Sequence, residues 1–169
     1  TWLGPLLGSL IRPVGGTLAD RFGGARITCW NFVAMALGAG LVWTASRLGS
    51  LPLFLVGFVA LFVLSGVGNG STYKMIPAIF RTQAQQRVAA GEDPAAADRH
   101  ALRMSGALIG IAGAVGAFGG VLVNLAFRQS FLSTGTGDSA YLVFIAFYLV
   151  CLAVTWTVYL RPGARTPGV

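Results

Sequence analysis

Five apolar runs, separated by short polar segments, constrain this chain more than any other feature. They cover about Thr1–Ala19, Ile27–Ala45, Leu51–Phe80, Met104–Phe127 and Ala140–Leu160. Runs of roughly 17–25 apolar residues are what a helix needs to cross a bilayer's hydrocarbon core. Only 10% of residues are charged, against about 25% in soluble domains. The expected fold class is therefore an all-α integral membrane protein with five transmembrane helices. The third run, at 1.5 Å per residue, is roughly 45 Å long and must tilt or project from the membrane. The polar segment 81–103 carries both signs of charge and no apolar period, so a solvated connector, partly helical near its ends, is expected.

The basic residues mark the ends of these runs. Arg21 and Arg26 lie in one loop, Arg81, Arg87, Arg99 and Arg103 in another, and Arg161 and Arg165 in the tail. The alternate loops hold only Arg47 and Arg128. The positive-inside rule places the first set, and hence the C-terminus, in the cytoplasm, an alternation that five spans satisfy and four or six would not. The net charge of +7 is accordingly a matter of topology, and no nucleic-acid partner is implied. The sequence opens with Thr1 inside an apolar run, and a C-terminal piece of a longer protein is expected.

The first run carries the residue hardest to reconcile with lipid. Gly4, Gly8, Arg12, Gly16 and Asp20, spaced by four, share one slowly drifting stripe of a helix. The glycines let another helix or a ligand approach the backbone closely. A guanidinium at this depth costs on the order of 2.5–3.5 kcal/mol or more, which an anion in a water-filled cavity would offset. Arg12 is thus the candidate anion-binding residue of a membrane transporter. Pro13 cannot donate to the carbonyl of Ser9, so a kink is expected one residue after Arg12.

Three other patterns stand out. Gly16, Asp20, Arg21, Gly23 and Arg26 form a loop in which an acid at a helix C-terminus needs a cation or another helix's N-terminus, giving a conditional contact, a candidate conformational latch. Gly23 and Gly24 permit the tight reversal into the next span. In the third run, Gly66, Gly68 and Gly70 allow bending or very close packing. Asn69, Ser71 and Thr72 there should face protein or a cavity, while Lys74 lies near enough to the end to snorkel. Gly106, Gly110, Gly113, Gly116 and Gly120 leave the fourth run one nearly bare face, for helix packing or for a ligand.

Catalysis finds no support. Asp20, Glu92, Asp93, Asp98 and Asp138 all lie outside the apolar interiors, and none stands with a His or Cys. Cys29 and Cys151 lack partners at metal spacing, His100 sits in a polar segment, and no phosphate-binding glycine loop is present. Neither a metal nor a cofactor is implied, and the chain does not read as an enzyme.

Taken together, Gly4-Pro5-Leu6-Leu7-Gly8 with Arg12, the Asp20–Arg26 loop, Asn31-Phe32, the stretch from Gly68 to Pro77 and the Gly106–Gly120 helix resemble the nitrate/nitrite porter family of major facilitator transporters. The resemblance covers nearly the whole chain. It implies that residues 1–169 are part of a C-terminal six-helix half, the five spans corresponding to helices eight to twelve of twelve. It further implies that Arg12, with a second arginine of the missing N-terminal half, clamps nitrate or nitrite, and that Gly110 and Gly113 line the anion site. Asn69 is a further candidate substrate contact, Asp20 would touch a helix of the missing half, and transport would proceed by alternating access in a bacterial cytoplasmic membrane. No Asp, Glu or His lies inside a run to carry a proton, which leans toward exchange of nitrate and nitrite over symport. Two other readings stay open: transport of another small organic anion, and a membrane scaffold or sensor in which Arg12 pairs with a partner's buried acid.

Overall fold

The computed structural model describes residues 3–162, and all of its regular structure is helical. Thr1 and Trp2 of the first expected span, and Gly163 and Arg165 of the tail, lie outside the described residues. The order is α1 (Leu3–Leu10), α2 (Arg12–Phe22), α3 (Gly24–Arg47), α4 (Leu51–Ala89), α5 (Pro94–Thr134) and α6 (Asp138–Thr155), the last running into a π-helical turn, Trp156–Leu160. Among the described residues four helices are long and apolar enough to cross a membrane: α3, α4, α5, and α6 with its π-helical turn. The chain is a multi-pass membrane protein.

The first expected span is divided in two at Ile11, one residue before Arg12 rather than one after it. Pro13 is the cause. At the second position of α2 its missing N–H belongs to the unsatisfied first turn of a new helix. The break stays local, because Ile11 N–H still donates to Leu7 O at 3.0 Å and Gly15 N–H to Ile11 O at 3.2 Å. α2 then ends at Gly23, which takes φ 89° and donates its N–H to Ala19 O at 2.9 Å. A positive φ of this kind favours glycine, so a single residue reverses the chain into α3. Gly24 is bare for a different reason: a Cβ there would strike the Met75 side chain.

The segment 81–103 is far more helical than its polarity suggests. α4 runs to Ala89 and α5 begins at Pro94, leaving only residues 90–93 outside helix. Glutamines, alanines and arginines are good helix formers, so a polar stretch rich in them continues a helix into water. Asp93 caps α5, its Oδ2 accepting from Ala96 N–H at 2.9 Å, with Pro94 in the first turn. Ala84 and Ala97, both buried, bring the two projecting ends together.

α4 is the hub of the bundle. It packs against α1, α2, α3 and α5, while α3 also packs against α6. Much of the core is made of small side chains, among them Ala19, Ala25, Ala39, Ala45, Ser71 and Ala140. Small residues are the usual means of close helix approach in lipid. α5 lies at the other extreme: Ile111, Val115, Phe118, Leu122 and Leu125 are all exposed.

Candidate functional site: Arg12, a glycine seam and a polar cavity

The stripe Gly4, Gly8, Arg12, Gly16 and Asp20 lies along α4. A Cβ at Gly66 would strike Gly8 O and the Ile11 side chain; one at Gly70 would strike Arg12 O and come within 2.9 Å of Gly16 N. A Cβ at Gly15 would likewise meet the Val67 backbone, 2.7 Å from its Cα. Backbone meets backbone along this seam, so a neighbouring helix accounts for the glycines of the first run and for Gly66 and Gly70. The break at Ile11 thus sits at the closest approach of two helices.

Arg12 opens α2 within this seam. Its carbonyl is pressed against Gly70, but its side chain is exposed. Among the described residues the three carboxylate ion pairs go to Arg47, Lys74 and Arg87, and none involves Arg12. A guanidinium held by a packed backbone, with no carboxylate against it, keeps its planar fork of donors available to an oxyanion.

Asp20 finds its cation inside this chain. Lys74 Nζ donates to Asp20 Oδ2 at 2.8 Å, which joins the end of α2 to α4. Lys74 therefore does more than snorkel, and the contact of Asp20 among the described residues is α4. Gly16, one turn before Asp20, lies beside the Lys74 stem: a Cβ there would be in ordinary van der Waals contact with Lys74 Cγ, at 3.4 Å. Arg21 and Arg26 are exposed on either side of the Gly23 turn.

Asn69 lies on a different face of α4 and lines a cavity of about 260 Å³ with Asn31, Ser65, Thr72, Tyr73 and Tyr148. α3, α4, α5 and α6 all contribute to it. Of the polar residues of the third run, Ser71 faces protein, fully buried with its hydroxyl 2.9 Å from that of Thr28, while half-buried Asn69 and exposed Thr72 lie at the cavity. Arg12, Gly110 and Gly113 do not line this cavity, so the four candidate substrate contacts are not gathered in one place. Gly113 comes nearest, since a Cβ on it would lie 3.6 Å from Tyr73 Oη. A Cβ on Gly106, Gly110, Gly116 or Gly120 meets nothing within 4 Å, so among the described residues the bare face of α5 is open at these four positions. Gly68 differs again, facing the Asn31 amide of α3.

Two groupings escaped the sequence reading. Thr28 and Asn31, both buried, are one helical turn apart in an apolar run; that spacing was the available signal. At the other end of α3, Trp43 Nε1–H donates to Asp138 Oδ1 at 2.9 Å, and Arg47 lies 4.0 Å from the same carboxylate and 6.0 Å from the Trp43 ring centre. No local pattern couples residues 95 positions apart.

The chain is 39% identical over 171 residues to the nitrate/nitrite transporter NarU of Salmonella typhimurium, a match covering 98% of this chain and 36% of that protein. It is 38% identical over 164 residues to NarU of Escherichia coli, with 95% and 36% covered. Over nearly its whole length the chain is similar to proteins named as nitrate/nitrite transporters. A third relative, the probable nitrate/nitrite antiporter NarK2 of Thermus thermophilus, is 33% identical over 169 residues, covering 98% of this chain and 34% of the relative. The chain thus spans about a third of the length of these porters. They are named as transporters, not enzymes. No family model matches the chain.

Proposed function

We propose that this chain is the C-terminal portion of a bacterial nitrate/nitrite transporter of the major facilitator superfamily. The observation that carries this reading is near-full-length similarity to named nitrate/nitrite transporters, together with an exposed Arg12 that no carboxylate of the described residues neutralises. In this reading α1 and α2 together form helix eight, α3 to α6 are helices nine to twelve, and the C-terminus is cytoplasmic. Arg12 grips the planar oxyanion in bidentate fashion, opposite an arginine of the N-terminal half. Gly110 and Gly113 offer bare backbone on α5 against the anion. The two halves alternate in access to either side of the cytoplasmic membrane.

The test uses the full-length protein in proteoliposomes, comparing wild type with Arg12→Lys and Arg12→Ala. Labelled nitrate uptake is followed with and without internal nitrite, and with and without a pH gradient. Loss of uptake in both variants, with native melting behaviour, supports the bidentate clamp. Uptake that survives Arg12→Ala overturns it. Stimulation by internal nitrite alone identifies exchange; stimulation by the pH gradient identifies proton symport.

A further inference from the structure

One end of the α3–α6 pair carries exposed arginines beside exposed tryptophans. Trp30 is 72% exposed and Trp156 50%, and Arg26 and Arg161 are exposed as well. Arg26, Trp30 and Leu37 share one face of α3, being spaced by four and seven. Among the described residues no ion pair involves Arg26 or Arg161. Two observations fix the antiparallel register of α6 on α3: Trp43 donates to Asp138, and Phe32 shares its cavity with Tyr148. Stepping back along α3 for each step along α6 brings Trp156 level with Ala25 and Arg26, and the π-helical turn does pack on α3. Arg161 then stands just beyond the start of α3. The Arg26 side chain leans toward the same end, because helical side chains tilt toward their own N-terminus.

The two sets emerge on the same side of the pair. Ala25, seven residues before Phe32, and Thr155, seven after Tyr148, continue the facing stripes, and both are buried. Arg26 follows Ala25 and Trp156 follows Thr155. Antiparallel helices turn in opposite senses when seen from one end, so one step past the interface leads to the same side on each. This side is not made like the α2–α4 seam, where glycines let backbones touch. It presents Trp30, Leu37, Leu149 and Trp156, large side chains suited to acyl chains, with the tryptophans near the arginine-bearing end. Arginines with no carboxylate against them attract phosphate, and their planar donors match its oxygens. We propose that Arg26 and Arg161 hold the headgroup phosphate of an anionic phospholipid whose chains lie along Trp30, Leu37 and Trp156. The site makes no use of Arg12 and stands independently of the nitrate reading.

The test is native mass spectrometry of the full-length protein in detergent, titrated with phosphatidylglycerol or phosphatidylethanolamine of identical acyl chains. Wild type is expected to bind the first phosphatidylglycerol several-fold more tightly than phosphatidylethanolamine. The double variant Arg26→Ala with Arg161→Ala should lose that preference. Arg81→Ala with Arg103→Ala removes the same charge from two other exposed arginines and should keep it. Excess glycerol phosphate, a headgroup without chains, should leave the lipid bound. Equal binding of the two lipids by wild type overturns the proposal, even where a variant fails to fold. An equal loss in both double variants reduces the effect to general charge attraction and overturns it too. Displacement by glycerol phosphate would make this a free-anion site instead and likewise overturn it.

Discussion

Lys74 Nζ and Asp20 Oδ2 stand 2.8 Å apart, linking residues 54 positions apart in sequence at the end of α2 and along α4. Both side chains are 56% exposed, so solvent screens the pair and its net worth is at most about 1 kcal/mol. As the proposed latch, its value lies in when it forms. An exposed ion pair between two helices can break at little cost as the protein changes state. In Asp20→Asn, uptake by the full-length protein is expected to fall several-fold while the melting temperature moves by no more than about 2–4 °C. The charge-swapped pair Asp20→Lys with Lys74→Asp should recover much of the rate. A large drop in melting temperature would make the pair a structural brace instead.

The seam gives a steric prediction. Gly70→Ala drives a methyl into Arg12 O and Gly16 N, and neither backbone group can step aside. Overpacking of this kind costs about 1–3 kcal/mol, so the melting temperature should fall clearly. Gly116→Ala meets nothing within 4 Å and should melt like wild type. Thermal unfolding of the two purified variants side by side checks both halves of the statement.

The Thr28–Ser71 contact is buried and direct. Thr28→Val keeps the shape and removes the hydroxyl 2.9 Å from Ser71 Oγ. The loss is expected to be about 0.5–1.5 kcal/mol, since Ser71 still donates to Gly68 O at 3.0 Å. Adding Ser71→Ala should cost less than the two single changes summed, because both remove the same bond. A strictly additive double-mutant cycle would deny the coupling.

At the far end of α3, Trp43→Phe removes the donor that meets Asp138 Oδ1 at 2.9 Å. The carboxylate is then left with Arg47 at 4.0 Å, a pairing that is mostly exposed on the arginine side. A hydrogen bond to a charged group is worth about 1.5–3 kcal/mol, so Trp43→Phe should destabilise by an amount of that order. Asp138→Asn should be milder, because an amide oxygen still accepts from the indole. Melting curves of the two variants rank them directly.

Several features of the fold were legible in the chain because they are local. Apolar runs with charges at their ends specify membrane helices wherever they occur, since a bilayer requires each backbone polar group to be bonded within its own segment. Gly23 was readable as the reversal and Pro13 as a break, because both act through their own backbone. The polar stretch 81–103 was harder. Its glutamines, arginines and alanines signal water exposure, yet the same residues continue α4 and α5 as helices, and polarity says nothing about backbone conformation.

What the sequence by itself determined is the helical membrane class, the likeness to nitrate/nitrite transporters, and the residue types on each stripe. What only the tertiary structure decided is which stripe meets which. Gly8, Gly15 and Gly16 could have faced a ligand, but they face Gly66, Val67 and Gly70. Asp20 needed a cation that no local pattern names, and among the described residues that cation is Lys74. Asn31 reads as one more polar residue in an apolar run until α4 places Gly68 against its amide and a cavity beside it. The reason is physical: helical periodicity fixes the direction of each side chain around its own axis. The neighbour it meets depends on how several helices, each satisfied internally, fit against one another.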